Sequence, residues 1–256
     1  MTPADPVRFA LGTFTRVPVP PPSEVTATVA GRGLALAPVV GAAIGLASGA
    51  LLLVTGVDLI ARLLSATLVV ALAAWLTRGL HWDGLADVAD GLGSAATPER
   101  AREIMRRSDI GPFGVLALVF TIALQVLSIA QLPAGAPALA AWVLAVTLGR
   151  LAVAVACGPW VQPARADGLG ATVIGSVTPA RLVIAGVLTA GLSAAAAIAG
   201  QLPWSAALLW GPLAAIGVAL GLGWLAQRRF GGSTGDVLGA TVELATLAVL
   251  LVLALQ

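Results

Sequence analysis

Residues 80–94 read LHWDGLADVADGLGS and hold the chain's only histidine together with three of its eight aspartates. Asp83, Asp87 and Asp90 stand at i, i+4 and i+7, so a helix carries all three on one narrow face. Three like charges on one face repel unless something cationic sits among them. A solvated helix would interleave basic residues, yet downstream the cations begin only at Arg100. A divalent metal resolves the conflict: carboxylate oxygens are hard ligands suited to Mg2+ or Mn2+, and Mg2+ is usually held by one or two carboxylates plus substrate phosphates. Glycines beside the acids (Gly79, Gly84, Gly91, Gly93) let phosphates approach the backbone closely. The competing reading is a solvated helix end with no ligand. Zinc does not fit, because His81 and the single, distant Cys157 cannot build a usual zinc site. One cysteine also excludes an intrachain disulfide.

Three further polar stretches resemble this one in character. TPERAREIMRRSDIGPFG, residues 97–114, opens with Thr97 as an N-cap, Pro98 at the first helical position and Glu99 in the first turn. Its Arg102 and Arg106 are i, i+4 neighbours. Alone they describe an amphipathic interfacial helix; beside a carboxylate–metal site they become candidate phosphate ligands, with Ser108 close by. ARADGLGAT, residues 164–172, adds Arg165 and a glycine-flanked turn. GGSTGDVLGATVE, residues 231–243, carries Thr234 and Asp236 at the head of an apolar run. It is not a Walker loop, since all fourteen cations are arginine and lysine is absent. Asp236 reads either as a helix cap or as a further metal ligand.

The elements that position these residues follow from composition. With 59% hydrophobic and 10% charged residues among 256, too little polar surface remains to coat a globule in water. The expected fold is an all-α, polytopic integral membrane helix bundle, one membrane domain over residues 1–256. A span needs roughly 20 apolar residues, and seven candidates are found: 34–54, 59–77, 112–132, 137–158, 181–200, 204–226 and 236–255. Alternating them gathers all the arginines except Arg62 and Arg150 at one face, so the positive-inside rule predicts a cytoplasmic N-terminus and an outside C-terminus. Residues 1–33 then form a cytoplasmic or interfacial segment, with 9–14 in the interface, and 78–111 a cytoplasmic Asp/Arg-rich active-site segment. Trp75, Trp82, Trp160, Trp204 and Trp224 fall near span ends, where amphipathic rings settle. The first thirty residues lack a continuous apolar core and do not read as a cleaved signal peptide. A net charge of +2 does not suggest a nucleic-acid partner.

Arg150 and Glu243 are the charges inside spans. At ~1.5 Å per residue each lies about 10–12 Å from the same face. An isolated charge there costs roughly 2.5–3.5 kcal/mol on insertion scales. The two are therefore expected together, within salt-bridge or single-water reach, or with Arg150 turned to a substrate phosphate and Glu243 orienting it; either way the fourth and seventh spans are neighbours.

HWDGLADVADGLGS, REIMRRSDIGPFG, RADGLG and GGSTGDVLGA occur in the order expected for the cobalamin synthase family, the membrane adenosylcobinamide-GDP ribazoletransferases. FTRVPVP, residues 14–20, resembles that family's opening motif. The resemblance covers most of the chain. It implies the last joining step of cobalamin assembly, in which a ribose hydroxyl of α-ribazole or its 5′-phosphate attacks the phosphorus nearest cobinamide and GMP leaves. It also implies Mg2+, and a place in a bacterial cytoplasmic (inner) membrane with the active site facing the cytoplasm.

On this reading Asp83, Asp87 and Asp90 are catalytic and, with Asp236, hold the metal. The residues expected to bind substrate are Arg16, Arg78, His81, Arg102, Arg106, Ser108, Arg150, Arg165, Thr234 and Asp236. The expected partners are the two small-molecule substrates and the bilayer, and association into a homo-oligomer is left open. Two other classes compete. One is a different Mg-dependent membrane transferase for CDP-alcohols or prenyl diphosphates, whose longer aspartate motif Asp83–Asp90 fits only partly. The other is a multi-pass transporter, whose sites tend toward the midplane rather than one face.

Overall fold

A computed structural model describes residues 2–54 and 56–255, apart from the side chains at 168 and 169; Gln256, expected on the outer side, lies beyond the described residues. The helices are α1 (Asp5–Phe14), α2 (Ala27–Ala35), α3 (Ala37–Gly49), α4 (Leu59–Leu76), α5 (Leu80–Gly93), α6 (Pro98–Met105), α7 (Pro112–Gln131), α8 (Ala136–Ala156), α9 (Gly168–Val173), α10 (Pro179–Gly200), α11 (Gly211–Phe230) and α12 (Gly235–Ala254). A 3-10 turn extends α3 to Val54, and a π turn at Ala206–Trp210 leads into α11. Among the described residues the only β pairing is one isolated bridge between Pro163 and Ser233.

Sequence sets most helix starts. Pro38, Pro98, Pro112, Pro137, Pro179 and Pro212 sit in opening turns, where the missing N–H has no intrahelical use. Thr26, Asp58, Thr178 and Thr234 accept from the amides of Val29, Ala61, Arg181 and Val237, satisfying donors that helix geometry leaves free.

Among the described residues, seven helices are long and apolar enough to cross a membrane: Ala37–Val54, Leu59–Leu76, Pro112–Gln131, Ala136–Ala156, Pro179–Gly200, Ala206–Phe230 and Gly235–Ala254. The chain is a multi-pass membrane protein. Two expected boundaries move by more than two residues. The first span begins at Ala37 because Pro38 restarts the helix after α2. The sixth runs on to Phe230, carrying Arg228 and Arg229 into its last turn, where cations suit the helix C-terminus.

The spans are not equivalent. Apart from Thr147 and Arg150, α8 is apolar around its whole circumference and is buried almost throughout, whereas α4 and α10 leave most of theirs exposed, including Leu64, Leu68, Val183 and Val187. A helix apolar on every side belongs in the core, and exposed apolar faces suit lipid rather than water. α8 is thus the axis, with α3, α10, α11 and α12 around it. One polar contact marks this core: the Trp142 indole N–H donates to Ser48 Oγ at 2.9 Å.

Small residues let α8 be surrounded closely, as is usual where lipid offers no hydrophobic drive. A Cβ on Gly149 would lie 2.3 Å from Thr246 Oγ1 and 2.9 Å from the Val242 carbonyl oxygen, so α8 and α12 touch at backbone distance there. The expected adjacency of the fourth and seventh spans is present. Gly149→Val should overpack this seam and cost about 1–3 kcal/mol, read as a lower Tm of the detergent-solubilised protein. Gly217→Val, where a Cβ meets nothing within 4 Å, should leave Tm unchanged. Equal heat stability of the two variants would show that α8 and α12 do not meet at Gly149.

Candidate active site

The end of the bundle where α4 gives way to α5 holds most of the chain's unusual chemistry. After α4, Arg78 (φ 59) and Gly79 (φ 68) both adopt the left-handed conformation, a double reversal that starts α5 in a new direction. α5 is amphipathic and packs chiefly against α7 and α12. Gly84 makes that packing possible: a Cβ there would lie 2.7 Å from the Asp236 carbonyl oxygen and 2.9 Å from its Cα. The second turn of α5 thus rests on the first turn of α12, which brings Asp236 to the acids of α5.

Asp83 is exposed, Asp87 half-buried and Asp90 buried, a gradient along one helical face. The Asp87 carboxyl is pushed up to about 7, first by burial and then by the charges of Asp236, Asp83 and Asp90. Among the described residues none of Asp83, Asp87 or Asp236 belongs to an ion pair. Asp236 does contact Thr234, whose hydroxyl donates to its carboxylate at 3.3 Å. The expected crowding of like charge is therefore built from Asp83, Asp87 and Asp236, with Asp90 behind.

Asp90 has a different employment from the open ligand expected of it. Its two oxygens accept from the amides of Gly111 (2.7 Å) and Gly114 (2.9 Å), so it clamps the start of α7 to α5. Among the described residues no three His, Cys, Asp or Glu side chains converge as a ready metal cage. The donor set still suits a hard divalent cation of the Mg2+ kind, which needs only one or two carboxylates when substrate phosphates complete its shell.

Two cavities meet at these acids. A polar one of about 570 Å3 is lined by Arg78, Asp83, Asp87, Arg107, Ser108 and Asp109, among others. An apolar one of about 240 Å3 is lined by Phe9, Phe14, His81, Asp83, Val242 and Asp236, among others. Two further recesses flank them: one holds Arg8, Arg16 and Arg78, the other Arg165, Thr234 and Gly235. Backbone bonds fix the rims, with Ser233 N–H donating to Gln162 O (2.8 Å), Ala164 N–H to Ser233 O (2.9 Å) and Arg16 N–H to Leu76 O (2.8 Å). The buried Asp5 carboxylate accepts from Ser23 Oγ (2.7 Å) and Ser23 N–H (3.1 Å), which holds it below the usual carboxylate range and ties residues 15–26 to α1.

The arginines separate into two groups. Arg78 lines the polar cavity and donates to Gly12 O at 2.8 Å; Arg16 stacks on Trp75 at 3.7 Å. Arg165 is held by Asp167 through two bonds of 3.0 and 2.9 Å. Arg102 instead donates to the Phe230 carbonyl and lies 3.6 Å from Glu99, so it fastens α6 to the end of α11. Arg106 is an exposed C-cap of α6 and lines none of these cavities. Arg107 and Asp109, absent from the expected set, do line the polar one; their adjacency to Ser108 was the available signal.

Below the acids lies a buried polar layer of His81, Gln125, Arg150 and Glu243. Arg150 and Glu243 share this layer and act on each other through their charges, with no direct ion pair between them among the described residues. Glu243 instead accepts from Gln125 Nε2 (3.3 Å) and lies 3.8 Å from His81 Nδ1. Arg150 donates to Val146 O at 3.5 Å, and its Nε has no partner. Gln125 was not expected here, because a lone amide in an apolar span carries no spacing signal. Burial, and then the Arg150 charge, hold His81 well below its usual pKa, hence neutral.

The sequence profile described as cobalamin-5-phosphate synthase matches residues 6–254. The chain belongs to that family. An adenosylcobinamide-GDP ribazoletransferase of Frankia casuarinae is 38% identical, with 97% of this chain aligned to 94% of that one. Proteins of the same name from a Nocardioides species and from Citrobacter koseri are 39% and 42% identical, over 95% and 87% of this chain and 96% and 87% of theirs. No solved structure matches. Membership in the cobalamin-5-phosphate synthase family sets aside the CDP-alcohol, prenyl diphosphate and transporter readings.

Asp87 and Asp90 should separate in stability measurements. Asp87 is raised from an unfolded value of roughly 3.9, so its cost to the folded state is absent below about pH 4 and full above about pH 7. In chelator, Asp87→Asn should raise Tm at pH 8, and the gain should shrink steadily toward pH 4. Asp90→Asn leaves a buried amide facing a donor and should instead cost about 1–3 kcal/mol near neutral pH. Matching shifts for the two variants at pH 8 would remove the distinction drawn between them.

Proposed function

We propose that the chain is an adenosylcobinamide-GDP ribazoletransferase: it joins adenosylcobinamide-GDP to α-ribazole, or to its 5′-phosphate, and releases GMP. Family membership supports the reaction. The observation that carries the site is the half-buried Asp87 carboxyl, crowded by Asp83 and Asp236 at the wall of a cavity that also presents Arg78 and Arg107.

Phosphoryl transfer needs charge neutralisation and in-line positioning more than covalent help from the protein. Asp83, Asp87 and Asp236 are the residues that would hold Mg2+, which when bound neutralises charge on the diphosphate. Arg78 and Arg107 bind diphosphate oxygens, for which guanidinium geometry is suited. Ser108 offers a hydroxyl donor beside them. In the transfer, the acceptor's ribose oxygen forms a bond to the phosphorus nearest cobinamide. The bond from that phosphorus to the bridging oxygen breaks, and GMP leaves with the electron pair. The hydroxyl proton passes to a carboxylate, and Asp83, exposed and common to both cavities, is the one we assign. Asp90, Arg102 and Thr234 act through others by holding the 106–114 segment, α6 and the start of α12.

The arginine distribution supports a cytoplasmic site in a bacterial inner membrane. In intact cells, impermeant thiol reagents should label Ser205→Cys and not Ala95→Cys, with native Cys157 silent because it is buried. The reverse pattern would overturn this sidedness.

The enzymatic test is GMP release by purified protein from adenosylcobinamide-GDP and α-ribazole. Release should require Mg2+, and Asp87→Asn should lose about 100-fold or more in kcat, the scale of losing a major transition-state charge contact. Wild-type turnover by Asp87→Asn at saturating Mg2+ would end the carboxylate assignment.

A further inference from the structure

The apolar cavity has no part in the mechanism above, yet it shares Leu80 and Asp83 with the polar one and includes Asp236. Its walls come from α1, α2, α5, α8, α9 and α12. Phe14 and His81 face each other with ring centroids 5.8 Å apart and planes at 39°, and Phe9 stands in the same wall. His81 is only 4% exposed, and its Nδ1 has no hydrogen-bond partner among the described residues.

This lining selects by chemistry. A flat, uncharged aromatic ring gains from apolar burial and from the ring faces. A phosphate or a sugar would lose its water there, with few donors to replace it. Guanine, and the adenine of the adenosyl group, carry several polar edge groups and meet the same penalty. A corrin macrocycle is far larger than a 240 Å3 space. Of the groups on the two substrates, one fits.

Resting on the transferase reading, we infer that the apolar cavity binds the bicyclic benzimidazole-type base of the acceptor nucleoside, leaving its ribose beside Asp83 and Asp236. The diphosphate of the other substrate then occupies the polar cavity, and the two substrates meet across Asp83. The buried His81 edge of the pocket accounts for why an N-terminal helix packs over the acids: Phe9 and Phe14 of α1 complete the slot. The same space suits a lipid acyl chain in size and polarity, and the test below separates the two.

Two substitutions narrow the slot from opposite sides. A Cβ at Gly170 meets nothing closer than 3.9 Å, so Gly170→Leu enters open space without breaking packing. Thr13→Phe enters from α1. Gly170 also borders the Arg165 recess and Thr13 the Arg16 recess, so an effect common to both variants reports the cavity they share. Gly217→Leu, in open space on α11, is the control. Full-length protein in nanodiscs is assayed for GMP release and, separately, for binding of 5,6-dimethylbenzimidazole by equilibrium dialysis. Both slot variants should raise KM for α-ribazole about tenfold or more, leave KM for adenosylcobinamide-GDP within about twofold, and lose dimethylbenzimidazole binding. The control should match the unaltered protein in every measurement. Equal rises in the two KM values, an unchanged acceptor KM, or a co-purifying acyl chain that dimethylbenzimidazole fails to displace would each overturn the assignment. If the unaltered protein released no GMP, the transferase reading would fail, and the dialysis arm would decide the slot by itself.

Discussion

The contact of Gly84 with the first turn of α12 is a backbone-to-backbone approach, and the arrangement of charge depends on it. Any side chain at that position would hold α5 away from Asp236. With hydrogen alone, three acids from two helices come close enough to raise Asp87 and have no counter-ion from the protein among the described residues. Like charges do not gather for stability's sake. Asp90, the most buried of the α5 acids, has its charge solvated by two backbone amides, although that charge is still the smallest of the three that raise Asp87.

Beneath the acids, the bundle turns polar for one layer. Glu243, Gln125, His81 and Arg150 come from α12, α7, α5 and α8, so the layer joins the short helix α5 to three spans. In a membrane interior such groups are costly unless they contact one another, which gives the four helices one favoured alignment. The layer is incompletely satisfied: Arg150 Nε, His81 Nδ1 and Gln125 Oε1 lack partners. It lies beneath the acids of α5 and Asp236.

Arginine serves this chain in two ways that charge counting does not distinguish. Arg102 terminates α11 by taking its last carbonyl, and Arg16 covers Trp75 at the interface. Arg78 and Arg107 reach the polar cavity. The guanidinium plane suits both duties, stacking and carbonyl binding on one hand and phosphate binding on the other. A lysine-free chain thus meets all its cationic needs with one side chain.

The spans, the aspartate face and the order of the motifs were legible in the sequence because each rests on local periodicity or composition. Seven apolar runs of membrane length need no tertiary information, since lipid demands helices of that length wherever they pack. The i, i+4, i+7 spacing likewise survives any packing. What local pattern cannot hold is which neighbour a side chain meets. Asp90 shares a face with Asp83 and Asp87, and only the fold of residues 111–114 onto it made it a clamp. Arg106 and Arg107 are adjacent, and only the end of α6 decided which one lines the cavity. Arg150 and Glu243 were legible as equally deep opposite charges that would come together, but His81 and Gln125, brought in from other helices to the direct contacts with Glu243, carried no signal in the local pattern.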